Sequence, residues 1–403
     1  MARTKKATVI GSGIAGLSAA YALVKRGWSV TVIDRHVGLA EEASSNPAVV
    51  VYPRLSLDNK VDTNFYLAAF YHALYVLCDL QKNSSDKFWH ETGLLQLFDE
   101  ARVTEIINKF AFDEAVVAVT GATIKNTQPT IKQVAAAIKR AGVILPDQLC
   151  RAIRDQCGKQ LTIKNMDVEQ IKQVDGVWRC FGGADTDQAD MDEAEVLIIA
   201  SGVELNRFAD LMNFPLDKIR GQVVSLDEKV TSKNITQTIN AGVYLTPLID
   251  HKHYLGATYS RVNNSEAVDT DDSKQLLSKL AGNIAELMPQ LEIDWDDCVD
   301  AWVGFRAMSK DRAPVVGAVA DTDFYNREYQ DLCHGRIAKD YQPAGYHSGL
   351  YITGAHGSRG FTSSFLSAEI IASQIMGEPS PVAKDILDYL SPSRFIVNDL
   401  KRR

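Results

Sequence analysis

Apolar positions along this chain follow two rhythms. From residue 7 a short apolar run reaches a cluster of glycines. Small and apolar residues then recur at helical spacing, and a second apolar run, 30–33, ends on Asp34. Unbroken apolar runs of this length suit strands buried on both faces, and their alternation with a helix predicts a parallel βαβ unit. Similar pieces recur later. Residues 143–158 predict a short strand, a turn at Pro146 and Asp147, and a helix that Gly158 ends. Residues 194–202 predict a buried strand running into glycine. A further one at 349–354 leads into an apolar-faced helix at 361–376. Between these pieces the rhythm changes. Residues 161–168 and 177–181 are strand-like, with Asp175 and Gly176 as a hairpin signal. Residues 220–226, 242–246 and 253–259 alternate or run apolar and predict an antiparallel sheet. Residues 62–80 and 272–290 have helical periodicity, 88–98 predicts a turn and strand, and 43–53 a loop.

This order predicts an α/β protein. A Rossmann-like nucleotide-binding domain built from separated segments carries an inserted, mainly antiparallel α+β substrate domain. Approximate boundaries are 1–85, 141–222 and 312–403 for the first and 86–140 and 223–311 for the second. A length of 403 residues suits two domains.

The first glycine cluster carries the strongest chemical signal. Gly11 allows a sharp turn off the strand, Gly13 lets the backbone approach a pyrophosphate, and Gly16 brings the helix close to the sheet. The helix start then offers unpaired N–H groups and a positive dipole end. Asp34 lies 18 residues beyond Gly16, where a carboxylate accepts ribose hydroxyls. An acid at a strand end is also often only solvated. The motif fits NAD or FAD, and its place at the front of the chain is common in FAD-binding flavoproteins.

A second strand, glycine turn and helix follow at 352–363. Gly357 and Gly360 free the backbone, while Ser358, Thr362 and the helix start supply donors. Such a turn suits the flavin end of FAD, where a helix N-terminus stabilises negative charge; a plain glycine-rich βα turn is the other reading. His356 has two readings, a base or a structural turn residue. Arg306 sits on a strand-like apolar run, where its fork suits a carboxylate or a structural ion pair.

Charge and cysteine usage narrow the classes. The net charge of −8 argues against a protein that binds nucleic acid over its whole surface. It leaves room for a local basic patch, and modest clusters occur at Lys139 and Arg140, at Arg151 and Arg154, and at Lys401, Arg402 and Arg403. Six scattered cysteines without a CxxC pair fit reduced thiols and a cytoplasmic protein. Cys333 and His334 lack the further ligands of a metal site, so no metal is expected. The basic N-terminus runs straight into the first strand, unlike a signal peptide, and no apolar run is long enough to span a membrane.

In these motifs the sequence resembles FAD-binding amine oxidases of the glycine oxidase and D-amino-acid oxidase type. Within them it is most similar to the flavoprotein half of the bacterial MnmC group, which modifies the tRNA wobble uridine. The similarity covers nearly the whole chain. Its most specific pieces are Ser45, Asn46 and Pro47 with Tyr52 and Pro53; Trp89 with residues 93–96; residues 221–223, 244–247 and 256–259; Gly304 to Arg306 with residues 311–314 and Gly317; and residues 357–360. The resemblance implies FAD as cofactor, with Gly11, Ser12, Gly13, Ile14, Ala15, Gly16, Asp34 and Arg35 at its ADP half. It also implies that Ser44, Ser45 and Asn46 lie by the phosphates and flavin, that Val168 meets the adenine through its backbone, and that Ser201 and Gly202 flank the cofactor. Gly357, Ser358, Arg359, Gly360, Phe361 and Thr362 then face the flavin ring, and Arg306 holds a substrate carboxylate. Tyr244 and Tyr259 are further pocket candidates, or ordinary strand tyrosines. Val49 departs from an expected glycine, where a side chain crowds the flavin.

The implied reaction removes the carboxymethyl group of 5-carboxymethylaminomethyluridine, with or without 2-thiolation, giving glyoxylate and 5-aminomethyluridine. Expected partners are tRNA and a separate methyltransferase, because the methyltransferase half that precedes this domain in the group is absent from the sequence. A standalone form and a relative with another substrate are both open. Two alternatives stand beside this one: an oxidase or dehydrogenase of free glycine, sarcosine or D-amino acids, and a non-catalytic flavin-binding partner of a methyltransferase.

Overall fold

A six-stranded sheet organises the first part of the fold. The computed structural model describes residues 5–54, 57, 61–97, 101, 105, 117–120, 135–183, 190–261, 264–285, 288–292, 300–335 and 341–403. These fall into two units: Met1–Ser44, Cys150–Lys218 and Arg306–Arg403 form one, Ser45–Leu149 and Ile219–Phe305 the other.

In the first unit the strand Lys6–Ile10 lies between Ser29–Asp34 and Val196–Ile199, parallel to both. Leu161–Asn165 extends one side in parallel with Ser29–Asp34; Tyr346–Gly354 extends the other, and Val315–Ala320 closes that edge antiparallel. The helices Ile14–Val24 and Gly360–Met376 pack against one another. Small residues recur on both helices, Ala19 and Ala20 on one and Ser364, Ser367 and Ala368 on the other, all buried. Leu17 and Leu23, both at zero exposure, anchor the first helix; each contributes roughly 1.5–3 kcal/mol by burial.

The hairpin expected around Asp175 and Gly176 is present, with both residues at positive φ. Its partners are Gln170–Val174 and Val177–Gly182. The run at 161–168 instead joins the parallel sheet, because Leu161 to Asn165 align with Val30 to Asp34. Pro146 begins the helix Pro146–Cys157 directly, where its missing N–H costs nothing.

The second unit holds an eight-stranded sheet and a three-stranded one. In the larger sheet, Leu95, Val224, Ile239, Leu245 and Leu255 share a core with Leu276, Leu277 and Leu280 of the helix Thr270–Asn283. Asp269 caps that helix, accepting from the Asp271 N–H at 2.9 Å. In the smaller sheet, Val49–Val51 and Trp89–His90 both pair antiparallel with Gly142–Ile144. That pairing draws 45–85 into the second unit rather than the nucleotide domain expected to include it. Arg220, at zero exposure, ties the sheet to the following loop. Its guanidinium donates to the carbonyls of Ser265 and Ala267 at 2.8 Å, to Gln222 Oε1 at 3.0 Å, and to Asp272.

Candidate functional site

Two glycine turns of the first unit lie side by side. Gly11 leaves the first strand at φ +110°, and a Cβ there would stand 2.4 Å from the Ala200 carbonyl oxygen. A Cβ on Gly16 would stand 1.9 Å from the Gly11 oxygen, so the turn folds back on its own helix. Gly13 precedes the helix in extended geometry, and no side chain caps it. Here Ser44 closes in: its Oγ accepts the Ile14 N–H at 3.1 Å. The amides of Ala15 and Gly16 belong to the first turn, which has no intrahelical acceptor.

Asp34 reaches this turn. Its Oδ2 accepts from the Ser12 N–H at 2.6 Å and the Ser12 hydroxyl at 2.8 Å, and its Oδ1 accepts the His36 N–H at 2.9 Å. Arg35 pairs with Glu42, which His36 Nε2 meets at 3.1 Å. Glu42 is partly desolvated, which works against ionisation, yet Arg35 and His36 hold its carboxyl below the usual range. Val168 follows the outer strand and is buried with Ile10 and Ile33. Ser201 lies beside Gly11, its Cα 3.4 Å from where a Gly11 Cβ would be. Its buried hydroxyl has no partner among the described residues. Gly202 follows at φ +58°. A cradle that any Cβ would fill, a helix N-terminus and an orphaned buried hydroxyl together fit a dinucleotide.

The second turn starts where Tyr346–Gly354 ends. Gly357 adopts φ +58°, and a Cβ on Gly360 would lie 3.7 Å from Ile14. The start of the helix Gly360–Met376 thus adjoins the start of the helix Ile14–Val24. Phe361 and Thr362 of its first turn are buried; Ser358 is exposed and Arg359 half-buried.

His356 holds this turn in shape. Its ring sits between Thr353 Oγ1, 3.1 Å from Nε2, and Ser363 Oγ, 2.8 Å from Nδ1. Ser363 spends its own proton on the Arg359 carbonyl at 2.9 Å, so it accepts from His356. The proton therefore resides on Nδ1, and Nε2 accepts from Thr353. Burial pushes the His356 pKa down to about 4. A neutral ring with both nitrogens engaged is a clamp between strand and helix, not a base.

Arg306 lies on the strand Asp300–Ser309. Met308 bridges to His356, and its sulfur would lie 3.5 Å from a Cβ on Gly357. Arg306 and Met308 are both half-buried while Ala307 and Ser309 are buried, so the alternation puts Arg306 on the Met308 face. Asp311 follows, fixing the turn through the Ser309 hydroxyl and the Ala313 N–H and binding Arg394 at 2.8 Å.

In the second unit two aromatic rings lie across glycines. A Cβ on Gly256 would stand 2.6 Å from the Tyr244 hydroxyl, and one on Gly304 would stand 2.1 Å from the Trp302 ring. Both rings reach the segment 45–48: Trp302 Nε1 donates to Ser45 Oγ at 2.9 Å, and the Tyr244 hydroxyl to the Ala48 carbonyl at 3.4 Å. Asn46 Oδ1 accepts the Ala48 N–H at 3.1 Å. Tyr259 is 51% exposed and lies beyond the end of the strand Lys252–Gly256. Val49 is half-buried and in a strand, with no positive φ, so its backbone accommodates a β-branched residue where glycine was expected. Trp302 stands two residues before Gly304, and that spacing is the only sequence signal of the ring lying over the glycine.

Among the described residues no cluster of His, Cys, Asp and Glu could hold a metal, and no helix is long and apolar enough to cross a membrane.

A fold of this kind, with a glycine cradle at each of two neighbouring helix starts, defines a dinucleotide-binding protein. The family model described as FAD dependent oxidoreductase matches residues 6–374. The chain belongs to that family, and its cofactor is FAD. It is similar to the tRNA 5-methylaminomethyl-2-thiouridine biosynthesis bifunctional protein MnmC of Chromobacterium violaceum, with 30% identity over 417 residues. The protein of the same description from Ectopseudomonas mendocina shares 31% over 415 residues. The alignments cover 100% of this chain and 61% of each relative, so the chain spans about three fifths of their length. Among solved structures, glycine oxidase from Geobacillus kaustophilus superposes with a TM-score of 0.74 at 17% identity, covering 97% of this chain and 99% of that one. Iminodiacetate oxidase from Chelativorans sp. BNC1 gives 0.72 at 22%, covering 96% and 98%. These likenesses establish the glycine-oxidase-like fold.

Proposed function

We propose that the chain oxidises the CH–NH group of 5-carboxymethylaminomethyluridine, with or without 2-thiolation, at the tRNA wobble position, releasing glyoxylate and 5-aminomethyluridine. The observation that carries this is similarity along the full chain to proteins named for 5-methylaminomethyl-2-thiouridine biosynthesis in tRNA. The glycine-oxidase-like fold supports it, because the substrate's side chain is itself an N-substituted glycine.

Residues 11–16, Asp34 and Arg35 would hold the ADP half of FAD, with Val168 at the adenine and Ser201 and Gly202 alongside. Ser44, Ser45 and Asn46 would serve the phosphates and flavin, and residues 357–362 the ring. Bound FAD would supply the two-electron acceptor. Arg306 would grip the substrate carboxylate through two parallel N–H···O bonds and so fix the α-carbon. Desolvation favours the neutral amine, whose lone pair assists loss of the α-hydrogen with its electron pair. The N–H proton leaves to solvent and a C=N bond forms. Water adds across it and the C–N bond breaks, yielding the aldehyde of glyoxylate and a primary amine. No protein nucleophile takes part, and His356 is too firmly engaged to act as base. Tyr244 and Tyr259 would line the substrate side.

The partners in this scheme are tRNA and a methyltransferase activity that acts on the exposed amine, and the setting is the cytoplasm. Incubating the FAD-loaded chain with tRNA that carries the carboxymethylaminomethyl group, followed by mass spectrometry of the nucleosides, tests it. Conversion to the aminomethyl nucleoside with matching glyoxylate is expected. Oxidation of glycine or sarcosine with the tRNA untouched would instead identify a free amino-acid oxidase, and FAD binding with no oxidation at all a non-catalytic partner.

A further inference from the structure

Four neighbouring strands of the six-stranded sheet are parallel, so the segments that follow them all leave at one edge. Their order puts Val196–Ile199 and Leu161–Asn165 three strand spacings apart, with Lys6–Ile10 and Ser29–Asp34 between them. That is about 14 Å from axis to axis. The segments leaving those two flanking strands are nevertheless tied together. Arg207, in the turn Gly202–Phe208, grips Asp167 with both arms of its fork: Nη1 donates to Oδ1, and Nη2 to Oδ2 at 3.1 Å. The tie spans the ends of the two inner strands, which lead to the Gly11 turn and to Asp34. Ligands of open α/β sheets bind along this carboxyl edge. Every residue involved belongs to the first unit.

Each tied segment has an inner and an outer side. Met166, Val168, Leu205 and Phe208 are buried in one core with Ile10 and Ile33. Asp167 and Arg207 stand between them in sequence and stay partly in solvent, 47% and 30% exposed. The ion pair therefore lies at the rim and not in the core. Further charges act on it there. Asp167 attracts Arg35 and His36, and Glu204 attracts both Arg35 and Arg207. The Arg207 hydrogen bonds hold the Asp167 carboxyl below the usual carboxylate range, against slight desolvation. An isolated exposed pair contributes little, whereas a bidentate pair within a network contributes more. Ser201 stands at the start of the tied turn, and its buried hydroxyl has no partner among the described residues. A ligand group inside the tie would satisfy it.

We propose that Arg207 and Asp167 are positioning residues for the adenine end of FAD. Their ion pair fixes the gap between the segment carrying Val168 and the segment carrying Ser201 and Gly202, and so sets how long the cofactor stays bound. Two segments ordered before binding lose less freedom when the cofactor enters. The inference rests on the assignment of these segments to the ADP half of FAD.

The test follows FAD release from the loaded full chain, with freed FAD trapped by an excess of another apoflavoprotein. Wild type, Arg207→Gln, Asp167→Asn and the double variant are compared. ADP is titrated by calorimetry into the same chains freed of flavin, and urea denaturation reports their stability. Each single variant should release FAD about 5-fold faster, and the double variant no faster than either single one. ADP binding should weaken by a similar factor, because the effect lies at the adenine end. Arg207→Lys keeps the charge without the fork and should fall between. The flavin-free variants should keep urea midpoints close to that of the wild type. Unchanged release in either single variant overturns the assignment, as do effects that multiply in the double variant. A loss for FAD with none for ADP also overturns it, and so does a urea midpoint that falls in step with FAD retention, the mark of an ordinary fold contact. A wild type that holds FAD but binds no ADP overturns instead the underlying reading of the ADP half.

Discussion

Replacing Gly13 by alanine should separate cofactor binding from folding. Gly13 has φ −69° and ψ 176°, open to any residue. An added Cβ would stand 3.1 Å from Ser44 Oγ, a side-chain hydroxyl that can yield by a few tenths of an ångström. Alanine is also a poorer helix N-cap than glycine, and together these cost the apoprotein about 1 kcal/mol. The new methyl, however, occupies the approach of the pyrophosphate to the first-turn amides. Losing one or two charge-assisted hydrogen bonds there removes roughly 3 kcal/mol, a factor of about 100 in Kd. With FAD at about 1,000 times the wild-type Kd, the cofactor stabilises the wild type by about 4 kcal/mol and the variant by only about 1.4. Gly16→Ala is the contrasting control, because its Cβ would stand 1.9 Å from a backbone oxygen and must damage the fold itself. Urea denaturation with and without FAD, beside an FAD titration followed by flavin fluorescence, measures both effects. The reasoning fails if Gly13→Ala binds FAD as tightly as the wild type, or if its apoprotein loses as much stability as Gly16→Ala.

Four further outcomes follow from the same structure. Arg306→Ala should retain FAD and lower kcat/KM for the modified tRNA by about 100-fold or more, the loss of a bidentate carboxylate clamp; steady-state kinetics with flavin content measured alongside would show it. Arg220→Met should destabilise the chain by about 3–5 kcal/mol in chemical denaturation, since it strands a carboxylate and two carbonyls around a buried site. His356 has a folded pKa of about 4 against an ordinary 6.5, so the unfolded chain binds the extra proton between those values. Its contribution, about 3 kcal/mol, is complete above pH 6.5 and is lost as pH falls towards 4; His356→Asn should show a shallower stability loss over that window than the wild type. Burial pushes the thiols of Cys150, Cys157 and Cys180 up to about 12, so iodoacetamide at pH 8 should label exposed Cys333 in the native protein and these three only after denaturation.

The glycine turns were legible because each glycine answers a local steric demand. Gly11 and Gly16 stand against backbone atoms within a few residues or on the adjoining strand, and that demand is written in residue type and spacing. The parallel sheet was legible for a related reason: strands buried on both faces read as unbroken apolar runs. The placement of 161–168 was not, because a hairpin signal names the turn and not the strand that precedes it. Gln170–Val174 is polar enough to hide as a loop, yet it is the strand that pairs. Residues 45–85 were assigned to the nucleotide domain for want of the long-range pairing of Val49–Val51 with Gly142–Ile144. His356 shows a further limit. Its alternative roles were decided by Thr353 and Ser363, whose hydroxyls meet the ring only once strand and helix are placed.

The most direct test of the proposed activity is anaerobic flavin reduction. The FAD-loaded chain is mixed in parallel with tRNA carrying the carboxymethylaminomethyl group, with tRNA lacking it, and with glycine or sarcosine. Bleaching of the oxidised flavin band by the modified tRNA alone, with glyoxylate formed in step, is the expected result. Bleaching by the free amino acids alone would contradict it and place the chain among the metabolic amine oxidases.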